Sequence, residues 1–196
     1  MEERIVRIGI IGMGGIANGT HLRGIGEATN VKVTAICDIN EAKLKTCGDS
    51  LGIAADRRFT DYRDLIACGE VDAVEVCTPN YLHAEMAIAA LNAGKPVNIE
   101  KPMGLSVNEA LAIKSAEEKS RAFGMLCFSY RFMPAVRYAK HLIDKGSIGK
   151  ILGVNVEYLS AGMSNDYKIA LEHGSNMLRL GRVLFGDRVA LAGQAQ

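Results

Sequence analysis

The residues best suited to chemistry in this 196-residue chain lie in two short stretches. The first is "GMGGIA", Gly12-x-Gly14-x-x-Ala17, between an apolar run and a segment with helical spacing. In that context Gly12 permits a tight turn, Gly14 lets a pyrophosphate approach the backbone, and Ala17 lets the helix sit close to the strand. Gly15 and Ile16 complete the turn. The helix start presents free N–H groups and a partial positive charge to phosphates. Asp38 ends the next apolar run, in "AICDIN", 26 residues beyond Gly12. A carboxylate there can accept hydrogen bonds from adenosine ribose hydroxyls and would repel a 2′-phosphate. Ile39 and Asn40 follow it rather than an arginine, which favours NAD over NADP. The competing reading makes the glycines a plain turn and Asp38 a helix cap.

The second stretch is "NIEKPMG", residues 98–104, where Glu100 and Lys101 close an apolar run just before a proline. Pro102 biases Lys101 away from helical φ/ψ, so its ammonium projects from an extended turn. Ends of parallel strands beside a nucleotide crevice are where ligands sit. The competing reading is a surface lysine paired with Glu100.

The elements that must hold these residues are legible in the pattern. Apolar runs at 4–11, 31–37, 72–77, 95–99 and 123–128 read as strands, the first four rich in valine and isoleucine, as expected of strands covered on both faces. Helical spacing fills 14–28, 40–51, 61–68, 80–93 and 106–120. Asn80 precedes a helix that Gly94 can end, and Ser106 with Glu109 fits a capping box. Strands alternating with helices imply right-handed crossovers and an α/β, Rossmann-type doubly wound parallel sheet. After residue 128 the pattern changes. A helix with Pro134 in its first turn and Gly146 near its end precedes an alternating strand over 150–159, with Val154, Val156 and Tyr158 on one face.

Composition excludes several function classes. Net charge is +1, with 48% hydrophobic and 23% charged residues, so no basic stripe is left over to grip nucleic acid or an anionic membrane. No stretch reaches the roughly 18 continuous apolar residues of a membrane helix, and the N-terminus does not read as a signal peptide. Cys37, Cys47, Cys68, Cys77 and Cys127 form no C-x-x-C pair, and with four histidines no zinc spacing appears, so no metal is expected. Cys37 and Cys77 end apolar runs, where a small buried hydrophobe fits. The thiols read as reduced, in a cytoplasmic protein.

The segments "IGIIGMGGIA", "AICDIN", "DYRDLIA", "VDAVEVCTPNYLHAEMAIAALNAGKPVNIEKPM" and "SYRFMPAVRYAKHLIDKGSIGKI" together resemble the Gfo/Idh/MocA family, from about residue 5 to 158. The resemblance implies a nicotinamide-dependent oxidoreductase acting on sugars, cyclitols or related polyols, with NAD preferred or NADP as cofactor. It implies that Thr78, Pro79 and Asn80 border the ribose and nicotinamide side, with His83 at the start of the next helix. Glu100 would approach the nicotinamide ribose, and Lys101 would meet both cofactor and substrate as the catalytic residue. Arg131 would contact cofactor or substrate from the junction of two domains, and the Lys101–Pro102 bond would be cis. A positive charge at Lys101 would favour the developing alkoxide and help relay the hydroxyl proton.

The resemblance also defines a departure. Members continue into an antiparallel sheet carrying an Asp-x-Gly-x-His-x-x-Asp type motif, and this sequence has only His173-Gly174 as an echo of it. The expected organisation is therefore a dinucleotide-binding domain over 1–128 and the beginning of a truncated α+β C-terminal domain over 129–196. The strand after Lys150 lacks a sheet to join, which suggests a homo-oligomer. The rival functions are a catalytically incomplete dinucleotide-binding module and a poorly folding fragment.

Overall fold

The computed structural model of the chain describes residues 4–153. Its strands are β1 (Val6–Ile11), β2 (Val31–Cys37), β3 (Arg58–Phe59), β4 (Ala73–Val76), β5 (Val97–Glu100) and β6 (Gly124–Cys127). The helices are α1 (Leu22–Glu27), α2 (Glu41–Leu51), α3 (Tyr62–Ala67), α4 (His83–Asn92), α5 (Val107–Ser120) and α6 (Pro134–Asp144). All six strands pair in parallel in one sheet, in the order β3-β2-β1-β4-β5-β6. The five strands read from the sequence are present. β3, two residues long on the sheet edge, is too short to leave a periodic signal.

Alternation along the strands sorts side chains into two cores. Ile11, Ala35, Val74, Val76, Val97 and Ile99 face a cluster with Leu65 of α3, Leu91 of α4 and Ile113 of α5. Ile10 and Ile36 face the other way, onto Met13, Ala17, Leu44 of α2 and Leu22 of α1. Helices thus cover both sides of the sheet. Each fully buried side chain of this kind contributes about 2 kcal/mol. The strand order reverses between β1 and β4, which opens a crevice at their carboxyl ends.

Helix boundaries follow their caps. Asn40, not Asp38, caps α2 by accepting from the Lys43 N–H at 3.1 Å. Ser106 caps α5 through the Glu109 N–H at 3.2 Å, as the capping pattern predicts. The return bond differs: Glu109 reaches the N–H of Leu105 at 2.6 Å, one residue before the cap. The segment over 80–93 divides into a 3₁₀ turn, Asn80–Leu82, and α4. Residues through Tyr138 form one compact unit and a second begins at Ala139. Val154, Val156, Tyr158 and His173 lie outside the described residues.

The amino ends of β1 and β4 are joined by charge. Arg7 donates through Nε and Nη2 to Asp72 at 3.0 and 2.8 Å, and its backbone N–H reaches the same carboxylate at 3.0 Å. The Arg7 guanidinium holds the Asp72 carboxyl well below the usual carboxylate range. A carboxyl depressed by folding contributes stability that is present above its unfolded value near 3.8 and lost as pH falls toward its folded value. The thermal midpoint is therefore expected to drop below pH 4 more steeply in the natural chain than in Asp72→Asn, measured by circular dichroism.

Candidate functional site

The glycine turn leaves β1 under tight constraint. The Gly12 N–H donates to the Cys37 carbonyl at 2.8 Å, and Gly12 has φ of +94°. A Cβ there would stand 2.8 Å from both the carbonyl carbon and oxygen of Cys77. The next N–H, of Met13, donates to Asp38 Oδ2 at 2.9 Å, and the Met13 side chain is buried. Asn18 Nδ2 donates to the carbonyls of Met13 and Gly14, both at 2.9 Å. The loop's acceptors are thereby turned to Asn18, and the amides at the helix start keep no intrahelical partner. Gly14 contrasts with Gly12: a Cβ on it meets nothing within 4 Å. Gly15 and Ile16 are exposed, while Ala17 is fully buried against the sheet.

Asp38 ties the end of β2 to this turn through the Met13 N–H, and its other oxygen accepts from the Asn40 N–H at 2.9 Å. An ionised carboxylate offers about four acceptor sites, so two remain for hydroxyls. The carboxyl end of β4 closes on the same crevice, with the Cys77 N–H donating to the Ile11 carbonyl at 2.8 Å. Thr78 is half-buried there, and Pro79 and Asn80 are exposed. His83 is only 1% exposed. Its ring nitrogens lie 2.6 Å from the Pro102 carbonyl and 2.8 Å from the Thr78 carbonyl. That geometry makes His83 a clamp between the Thr78 turn and the Lys101–Pro102 turn.

Lys101 is exposed after β5, and its bond to Pro102 is cis. Glu100 is buried and does not pair with the Lys101 ammonium. One of its oxygens accepts from the Lys101 backbone N–H at 3.0 Å, and the other meets His21 Nε2 at 2.9 Å. Arg131 stands exposed on the turn Ser129–Phe132 that follows β6, and no hydrogen bond among the described residues links it to the others. The carboxyl ends of β1, β2, β4 and β5 thus bring Gly12, Asp38, Thr78 and Glu100 to one edge of the sheet.

The reading of motifs missed His21, Glu75 and Asn98. His21 ends a π-helical turn, Ala17–His21, in which the Leu22 N–H reaches back to the Ala17 carbonyl. Such wider turns recur at functional sites. His21 Nδ1 lies 2.7 Å from Glu75 Oε1, and Asn98 Nδ2 donates to that oxygen at 2.7 Å. Glu75 and Asn98 are direct partners across β4 and β5. A signal was available: each interrupts an apolar run two residues before Cys77 and Glu100, on the same face, and a buried polar group requires a partner. Donor atoms of His21, Glu75 and Cys77, and of His21, Glu100 and Cys127, lie within 4.8 Å of one another. Sequence spacing could not show these sets, because their members come from different elements. Each ring nitrogen of His21 faces a carboxylate, Nδ1 that of Glu75 and Nε2 that of Glu100.

Cys77, Glu75 and Glu100 around the ring push the His21 imidazolium up to about 11. Burial raises the Cys77 thiol and keeps it neutral, so the two carboxylates supply the charge. Burial likewise pushes the Cys37 thiol up to about 12, and all five cysteines are free. A histidine raised by folding contributes stability fully present below its unfolded value near 6.5, and loses it as pH rises through about 11. The difference in thermal midpoint between the natural chain and His21→Gln is expected to shrink steadily from pH 7 to pH 10.

Residues 6–126 match the model of an oxidoreductase family with an NAD-binding Rossmann fold, Gfo/Idh/MocA. The chain belongs to this family. Inositol 2-dehydrogenase of Salmonella typhimurium is 33% identical over 165 residues, which cover 83% of this chain and 48% of that protein. Levoglucosan dehydrogenase of Pseudarthrobacter phenanthrenivorans is 40% identical over 115 residues, 56% of this chain and 30% of its own. Among solved structures, scyllo-inositol dehydrogenase from Lactobacillus casei, with bound NAD(H) and scyllo-inositol, superimposes with a TM-score of 0.72 at 28% identity, covering 87% of this chain and 49% of that one. The Gfo/Idh/MocA match accounts for the parallel sheet and the glycine turn. The chain spans about half the length of the curated relatives it matches. Among the described residues no helix is long and apolar enough to cross a membrane.

Proposed function

We propose that this chain is the cofactor-binding part, residues 1–128, and the start of the substrate domain, 129–196, of an NAD-dependent dehydrogenase of sugars, cyclitols or related polyols. The glycine turn carries this reading. Gly14 has no packing neighbour that requires a glycine, yet it stands where helix-start amides converge, so the open space suits a pyrophosphate. Gly12, Gly14, Gly15, Ile16 and Ala17 would hold that group, and Asp38 the adenosine ribose. Thr78, Pro79, Asn80, Glu100 and Arg131 would border the nicotinamide side, with His83 holding the Thr78 turn. NAD supplies the hydride acceptor when bound. Lys101 would steady negative charge on the substrate oxygen and help relay its proton. In the same reading the protein is cytoplasmic, in keeping with five free thiols, and works as a homo-oligomer.

The test is a titration of the purified chain with NADH and NADPH, followed by the cofactors' own fluorescence, then a screen of sugars and inositols for NAD reduction. NADH is expected to bind at least about tenfold more tightly, worth about 1.4 kcal/mol. Equal affinities would remove the role given to Asp38. Lys101→Ala is expected to lower turnover by about 10² to 10⁴ with NADH affinity within about threefold. Binding without any turnover would instead assign the chain as a dinucleotide-binding module.

A further inference from the structure

The α1 side of β4 and β5 carries a connected set of polar groups, of which the dehydrogenase reading places only Glu100 beside the dinucleotide. Asn98 donates to Glu75, His21 bridges Glu75 and Glu100, and Glu100 accepts from the N–H of Lys101. The side chains of His21, Glu75 and Glu100 are only 9%, 7% and 11% exposed. Apolar residues in place of a buried charge cluster are often neutral or stabilising. Asn98 Oδ1 is moreover buried with no partner, a loss of about 1–3 kcal/mol. Valine and isoleucine occupy most neighbouring strand positions and would pack here without that cost. Local violations of this kind are expected where a site needs them.

We infer that His21 is a positioning residue for the Glu100–Lys101 turn: held at one ring nitrogen by Glu75, it grips Glu100 with the other, and Glu100 grips the Lys101 backbone. This deepens, and rests on, the dehydrogenase reading above. The physical reason is rotational. With one carboxylate partner the imidazole could swing about its ring axis and carry Glu100 with it. With two, both nitrogens are committed, and the second anchor is itself fixed by Asn98 on the adjacent strand. The restraint thus originates in the paired backbones of β4 and β5 and ends at the residue that must meet the substrate. The groups facing the ring are Glu75 from β4, Cys77 just after it, Glu100 from β5 and Cys127 from β6.

Two measurements on the full 196-residue chain test this. The first is nitrogen-15 NMR of the histidine side chains, with His21 assigned by its loss in His21→Gln. Two ring N–H signals persisting to pH 9 are expected, and a ring that gives up a proton near pH 7 overturns the inference. The second is a double-mutant cycle read as NADH affinity, at a temperature where circular dichroism shows every variant folded. His21→Gln and Glu100→Gln are each expected to weaken NADH binding about five- to tenfold. Because His21 acts through Glu100, the double variant should be no more than about twofold weaker than the worse single one. Multiplying effects, or His21→Gln binding like the natural chain, would make the cluster merely structural and overturn the inference alone. Failure of the natural chain to bind NADH would overturn the dehydrogenase reading and this inference together.

Discussion

Replacing Gly12 by alanine is expected to cost about 3 kcal/mol or more of stability and to lower the thermal midpoint by on the order of 10 °C. Two independent penalties add. The backbone at Gly12 has φ of +94°, a region that side-chain-bearing residues seldom adopt and that costs on the order of 1–3 kcal/mol. The added methyl would also stand 2.8 Å from two backbone atoms of Cys77. A flexible side chain could move aside, whereas Cys77 is held in place by its N–H bond to Ile11. Relief would require β1 and β4 to part where their carboxyl ends form the crevice. The check is a denaturation curve of Gly12→Ala beside the natural chain. An unchanged midpoint would mean that the turn does not press on the Cys77 backbone.

Gly14→Val, two residues on, should do the reverse. Stability is expected to stay within about 1 kcal/mol, because a Cβ at Gly14 meets nothing within 4 Å. NADH affinity is expected to fall about 100-fold or more. A β-branched side chain would occupy the space through which a pyrophosphate reaches the helix-start amides. Hydrogen bonds to a charged group are worth about 1.5–3 kcal/mol each, and losing one or two accounts for the fall. Fluorescence titration and thermal melting of the same sample separate the two effects. Unaltered affinity in Gly14→Val would place the pyrophosphate elsewhere. The pair of variants distinguishes a glycine needed by the fold from one needed by a ligand.

Much of the architecture was legible in advance because its causes are local. Valine- and isoleucine-rich runs between helical segments specify strands covered on both faces, and five of the six strands follow. Asp38 and the glycine turn were legible because a strand–turn–helix with an acid at the next strand end leaves a fixed spacing. Ser106 capped its helix as read, but the partner of Glu109 shifted by one residue, since a flexible side chain can reach either of two adjacent N–H groups. Asp38 itself turned out to have a second task, holding the Met13 N–H, which spacing alone does not reveal.

What sequence determined by itself, then, was the alternation of elements, the parallel sheet they must form, and the two stretches of chemically capable residues that stand at its carboxyl edge. Only the tertiary structure decided how those stretches are held. Glu75, Asn98 and Glu100 face one another because β4 and β5 pair in a particular register, and His21 reaches them because a π-helical turn precedes α1. Such a cluster is assembled from elements far apart along the chain, so no motif announces it. Its only trace is a polar residue where packing would have chosen an apolar one.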